Sequence, residues 1–134
     1  MLELTRVYHF SAGHRLFDPA LSAEANEAVY GACWRPHGHN YTLDVTVRGP
    51  IDPQTGMVID LAELKRIVGE TIVERFDHAD LNADPLFRGR VPTTENLAIT
   101  VWELLAPKLG ADRLWQVRVW EDPNLYVDYR GPDA

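Results

Sequence analysis

The chain reads as an α+β protein: an antiparallel four-stranded sheet with two long helices packed on one face. Three observations predict this class. Apolar and polar residues alternate with the period of half-buried strands near both ends and in the middle of the chain. Two stretches of helical periodicity lie together between the middle and the last strands. The strands read as antiparallel neighbours rather than as βαβ units. The predicted order is β, short helix, β-β, α, α, β-β, in one unit spanning residues 1–134 without repeats, low-complexity tracts or linkers.

Each element has a local reason. "LELTRVYHFSA" mixes β-branched and aromatic residues with polar ones and gives the first strand. Ser22 to Gly31 offers a capping serine, helix formers and a closing glycine, hence one short helix. From His39 to Gly49, Tyr41, Leu43, Val45 and Val47 alternate with Asn40, Thr42, Asp44 and Thr46. "PIDPQTG" is turn chemistry, and "MVID" is expected to return as the second strand of a hairpin. Asp60 caps the first long helix with Glu63 three positions on, and Leu61, Leu64, Ile67 or Val68, and Ile72 form its apolar face. "FDHADLNADP" reads as a polar loop. The second long helix starts at Thr93 or Thr94 with Leu97, Val101, Leu104 and Leu105 inward, and Pro107 and Gly110 are expected to end it. "LWQVRVWE" and "NLYVDYRG" form a closing hairpin around Asp122-Pro123.

Bulk composition bounds the function. With 46% hydrophobic and 25% charged residues, a chain of 134 residues buries a core without staples. A formal net charge of −7 argues against general binding to nucleic acid or membrane surfaces. An anionic substrate must therefore meet a local basic patch. The single cysteine makes no intrachain disulfide, so the fold does not depend on an oxidising compartment. No signal-peptide pattern or membrane-length apolar run is found, and the expected location is cytoplasmic.

Two of the five histidines stand together in "CWRPHGHNY". At a strand start, a spacing of two sends His37 and His39 to one face. Two imidazoles supply two ligands of a zinc site, and a catalytic zinc takes three protein ligands and leaves one position open. His9 and His14, five residues apart, face opposite sides of a regular strand and do not serve one metal together, and the third ligand is expected from His14, because strand ends are where sites open to solvent. Three roles are open to Cys33: a fourth zinc ligand, a thiolate acting near the metal, or an inert side chain. Asp77 and His78 are adjacent in a loop, where a carboxylate can fix a histidine tautomer or merely share the loop. Glu121 ends a strand and is either a bidentate acceptor for a guanidine-like edge or a solvated hairpin end. Arg15, Arg35, Arg88 and Arg90 flank these motifs and are either phosphate ligands or surface charges.

Taken in order, "FSAGHRL", "CWRPHGHNY", "GMVIDLAELK", "FDHADLN", "PTTEN" and "VRVWED" resemble the 6-pyruvoyltetrahydropterin synthase and 6-carboxytetrahydropterin synthase family, from about Tyr8 to Arg130. The resemblance implies that His14, His37 and His39 hold a catalytic Zn2+. It implies that Cys33 is the general base, with Asp77 and His78 completing a catalytic relay. Glu121 matches the carboxylate that anchors the pterin ring, and Thr93 and Thr94 match positions beside that ring. The implied fold is the tunnelling fold, in which sheets of several subunits join into a barrel. The implied assembly is a homo-oligomer, a hexamer of two stacked trimers, with sites between subunits.

The implied substrate is 7,8-dihydroneopterin triphosphate, a small-molecule pterin triphosphate. The three residues "WRP" between Cys33 and His37 resemble the short loop of the 6-carboxytetrahydropterin enzymes of queuosine synthesis. "LSAEANEAVYGAC" and "TTEN" resemble instead the 6-pyruvoyl-forming synthases of biopterin-type synthesis. A third subgroup, forming a hydroxymethyl pterin, carries a glutamate in the cysteine loop, and none stands between Cys33 and His37. Phe76 stands where the family usually has leucine. The expectation is the 6-carboxy product, with loss of triphosphate and acetaldehyde, and the 6-pyruvoyl product is the alternative. Two rivals of other classes remain: a non-catalytic zinc-stabilised binding module closed by Cys33, and a cysteine hydrolase using Cys33 and His78.

Overall fold

A computed structural model describes residues 1–132, so the last two residues of the expected unit lie outside the described residues. The strands are β1 Leu2–His14, β2 His37–Gly49, β3 Ala79–Asp80, β4 Leu114–Asp122 and β5 Leu125–Tyr129. The helices are α1 Ala23–Tyr30, α2 Leu61–Val68, α3 Glu74–Phe76 and α4 Thr94–Leu109, with a π-helical segment, Gly69–Val73, joining α2 to α3.

The sheet order is β3-β1-β2-β4-β5. β1 and β2 pair antiparallel over their whole length, from Leu2 opposite Gly49 to His14 opposite His37. β4 lies on the other edge of β2, and β5 closes the hairpin. These four lie where strands are expected, but the sheet is not the four-stranded antiparallel one that the sequence predicts. The two-residue β3 adds a fifth, parallel to β1 through Ala12–Ala79 and Gly13–Asp80, and makes the sheet mixed.

Three further expectations are corrected. Met57–Asp60 is not a strand, because β1 and β4 already occupy both edges of β2. The segment instead closes a turn, with Asp52 N–H donating to the Met57 carbonyl at 2.9 Å, and inserts Ile59 into the core. Pro107 does not end α4, which continues to Leu109. So near the terminus its missing N–H removes a single helical bond, while Gly110, at φ 96°, caps the helix by donating to the Ala106 carbonyl. Leu61 does not join the apolar face, being 43% exposed in the first turn.

One face of the sheet carries the core. Tyr8, Phe10 and Ala12 of β1 and Tyr41, Leu43, Val45 and Val47 of β2 point to it, and Val117 and Val119 of β4 join them. Leu64, Ile67, Val68 and Ile72 meet them from the α2 side, and Leu97, Val101 and Leu105 from α4. Each Val, Leu, Ile or Phe side chain among them stabilises the fold by about 1.5–3 kcal/mol when fully removed from water. Asp60 accepts from Ala62 N–H at 3.0 Å and Ser22 from Ala25 N–H at 3.1 Å, so both predicted caps form. Among the described residues, no helix covers the opposite face, which carries Thr5, Thr46 and Arg118. No helix among the described residues is long and apolar enough to cross a membrane.

Candidate active site

The register of β1 and β2 assembles the histidines. His14 lies directly opposite His37, and Ala12 opposite His39, at the end of the two strands. All three rings share the face of Tyr41, at the rim of the core. Ring centroids are 4.6 Å apart for His14 and His37, 5.0 Å for His14 and His39, and 4.9 Å for His37 and His39. One ring nitrogen from each lies within 4.8 Å of the others. His9 is on the opposite face, exposed, with its Nδ1 3.3 Å from Thr42 Oγ1.

Main-chain carbonyls orient two of the rings. His14 Nδ1 bonds the Pro92 carbonyl at 2.7 Å, and His37 Nδ1 bonds the Arg35 carbonyl at 2.7 Å. Each bond puts the proton on Nδ1 and leaves Nε2 as a bare acceptor, the arrangement metal-bound histidines take. His14 Nε2 and His39 Nε2 are buried without a hydrogen-bond partner. Leaving such atoms unsatisfied is costly, and a cation between them removes the cost. The residues therefore fit a divalent metal with nitrogen ligands. Burial, foremost, holds the His14 imidazole below its ordinary pKa of 6.5, which keeps it neutral and able to ligate. Burial likewise pushes the Tyr41 hydroxyl well above its usual range.

Glu121 joins this cluster. The register shift between Trp120 and Asp122 places it in a β-bulge, a device that re-aims a side chain. Its Oε1 lies 3.4 Å from His39 Nε2 and 3.9 Å from His14 Nε2. Cys33 does not join it. The cysteine is exposed in a 3-10 turn, Gly31–Trp34, which is tied to the chain just beyond His14 by Leu16 N–H donating to the Cys33 carbonyl at 2.8 Å.

Asp77 and His78 do face each other, although adjacency alone does not require it. His78 Nδ1 lies 3.0 Å from Asp77 Oδ2, with the imidazole side chain 84% exposed. Asp77 Oδ1 accepts from Ser11 N–H at 2.9 Å, and this bond, with the one to His78, holds the carboxyl below its ordinary range. Instead of a plain polar loop, the segment forms β3 and two 3-10 turns after this pair. A cavity of about 390 Å³ opens here between Ser11–Gly13, Gly38–Asn40 and His78–Ala79.

Thr93 is the N-cap of α4, accepting from Asn96 N–H at 3.1 Å, and Thr94 is buried behind it. Both follow the Pro92 whose carbonyl orients His14. Of the arginines, Arg15 stacks over Trp34 at 4.0 Å and Arg90 pairs with Glu103 and Thr100. Arg88 and Arg90 line a second cavity that reaches Pro92. Sequence reasoning missed Ser11 and the carbonyls of Arg35 and Pro92. Main-chain groups leave no mark in residue identity, so no signal of composition or spacing points to them.

Residues 3–132 match the model of the family described as 6-pyruvoyl tetrahydropterin synthase. The chain is 48% identical over 131 residues to a 6-pyruvoyl tetrahydrobiopterin synthase of Poecilia reticulata, covering 96% of this chain and 89% of that one. It is 35% identical over 136 residues to a 6-carboxy-5,6,7,8-tetrahydropterin synthase of Bacillus subtilis, covering 96% and 84%. Its fold superimposes on the structure of Caenorhabditis elegans 6-pyruvoyl tetrahydropterin synthase with a TM-score of 0.91 at 37% identity, covering 98% of this chain and 96% of that one.

Proposed function

The chain belongs to the 6-pyruvoyl tetrahydropterin synthase family, and from that premise we propose that it is a zinc-dependent lyase converting 7,8-dihydroneopterin triphosphate to 6-pyruvoyl tetrahydropterin with loss of triphosphate. One observation carries the metal-assisted reading: two buried Nε2 atoms without partners converge with a third imidazole. The relatives support this product, since the 6-pyruvoyl-forming name goes with 48% identity and the 6-carboxy-forming name with 35%. These names support the alternative product over the expected 6-carboxy one. The segment before Cys33 and the "TTEN" stretch are then better guides than the three-residue spacing to His37.

His14, His37 and His39 would hold the zinc, which when bound acts as a Lewis acid and makes a carbon-bound hydrogen beside an oxygen easier to remove. Cys33 takes that proton as the general base. Asp77 fixes the His78 tautomer with the proton on Nδ1, which leaves Nε2 to accept and pass on a proton. Glu121 lies against the histidines, and this supports a role toward the hydroxyls of the substrate side chain rather than the ring edge. Thr93 and Thr94 frame the entrance to α4, where the ring is expected. A closed site with Cys33 as fourth ligand is disfavoured, because the cysteine stands exposed in its own turn.

The assembly we propose is a hexamer with sites between subunits. The helix-free face of the sheet and the 84% exposure of the His78 side chain support it. A solution mass near six chains is expected, and a monomer would remove the shared-site picture.

The deciding experiment incubates zinc-loaded protein with 7,8-dihydroneopterin triphosphate and takes the mass of the pterin product. A 6-pyruvoyl product is expected. A 6-carboxy product with acetaldehyde would restore the reading of the short cysteine loop, and unchanged substrate would sink the lyase altogether.

A further inference from the structure

His78 is the one non-glycine residue with positive φ among the described residues, at 60°. In that region an L side chain crowds the following carbonyl, so the conformation persists only where its surroundings hold it. What holds it is the main chain of Ser11. Ser11 N–H donates to Asp77 Oδ1 at 2.9 Å, and the Ser11 carbonyl accepts from His78 N–H. The grip continues into the parallel pairing of Ala12 with Ala79 and Gly13 with Asp80.

Neither main-chain group is taken from the β1–β2 ladder. Backbone groups of an antiparallel strand alternate between the two sides, and at Ser11 they point to the outer edge. On the inner side, Ser11 Oγ donates to Asn40 Oδ1 at 2.7 Å. Asn40 follows His39 directly. One residue thus links the Asp77–His78 pair to the strand that carries two of the three clustered histidines.

We propose that Ser11 is a positioning residue: its N–H holds the Asp77 carboxylate and its carbonyl holds the His78 N–H, which keeps His78 left-handed and fixes the direction in which its imidazole is presented. Ser11 acts through that pair. The proposal rests on the relay role of Asp77 and His78 given above.

The test replaces Ser11 by proline and compares Ser11→Pro with Ser11→Ala, which lacks the same hydroxyl but keeps the N–H. Phe10 is already extended, and the Ser11 N–H faces away from β2, so proline is compatible with this place in the strand. Ser11→Pro is expected to lower kcat roughly 10- to 100-fold relative to Ser11→Ala, the worth of one hydrogen bond to a charged group, with KM nearly unchanged. The 13Cα and 13Cβ shifts of residue 78 should move together with kcat, from left-handed to extended values. Left-handed shifts that persist overturn the proposal, whatever kcat does, and so do shifts that relax while kcat holds. Should Ser11→Pro fail to fold, Asp77→Ala removes the same bond from the other end, and a residue 78 that stays left-handed there overturns it equally. The shifts need no substrate. If the unsubstituted protein leaves the pterin triphosphate intact, the lyase reading falls while the hold of Ser11 on His78 is still decided by the shifts.

Discussion

The histidine cluster and the Asp77–His78 turn sit at the same end of the sheet, against the same few residues of β1, yet they are built in opposite ways. His14 is 3% exposed and its ring is aimed by strand register, by a main-chain carbonyl and by the packing of the core rim. The His78 side chain is 84% exposed and is aimed by a left-handed backbone that hydrogen bonds hold in place. The first arrangement suits a ligand that must be neutral, dry and fixed. The second suits a group that must exchange protons with something outside its own fold.

The largest expected effect separates the two regions. His39→Ala should remove bound metal and lower turnover by roughly 10³-fold or more, because several kcal/mol of transition-state stabilisation go with the ion. His78→Ala should lower turnover by roughly 10²-fold, the ordinary worth of one acid–base group, while the metal stays bound. Metal content by elemental analysis and turnover on the same preparations check both. Loss of metal in His78→Ala would show that the regions are one unit.

Acid should break them in sequence. The pKa of His14 is lowered in the fold, so its contribution to stability is complete above the unfolded value of 6.5 and is lost as pH falls from there through the folded value. Asp77 is lowered as well, so its contribution is complete above 3.8 and fails only below that. The melting temperature of metal-free protein should therefore begin to drop as pH passes below about 6.5. The slope should flatten in His14→Gln, while the Asp77 carboxyl carbon still reports an ionised group by NMR. A pH-independent melting temperature from 7.5 to 5 would mean that the buried imidazole is not what acid attacks.

The two regions also differ in how much of them the sequence discloses. Strand parity sends His37 and His39 to one face and keeps His9 and His14 from serving one metal together, and the place of His14 at a strand end, where sites open to solvent, selects it. The same alternation yields β1, β2, β4 and β5 but gives no sign of the parallel β3. It does not tell which edge of β2 is free, and so Met57–Asp60 reads as a strand although β4, distant in sequence, already fills that edge. Parity also hides the bulge at Glu121 that turns a hairpin-end carboxylate toward the histidines. The turn at His78 is least legible of all. Its partners are the N–H and carbonyl of Ser11, groups every residue but proline carries, and a positive φ at histidine has no composition signal of its own.

The smallest expected effect tests whether the buried region depends on its nearest helix. Thr93 caps α4 through Asn96 N–H, and Asn96 Nδ2 donates in turn to the Val91 carbonyl at 2.8 Å. Between these two bonds stands Pro92, whose carbonyl orients His14. Thr93→Ala removes a cap worth about 1 kcal/mol, which lowers the melting temperature by roughly 3–5 °C in a domain of this size. If the cap also steadies Pro92, zinc affinity should weaken by roughly tenfold, the lower end of what an outer partner of a ligand contributes, and Thr93→Ser should restore both. A stability loss without a change in affinity would mean that β1 and β2 alone set the His14 ring, so that the cluster owes its geometry to register and the helix merely covers it. A loss of affinity would make the capped turn part of the metal site, and the buried region would then depend, like the exposed one, on a single hydrogen-bonded loop.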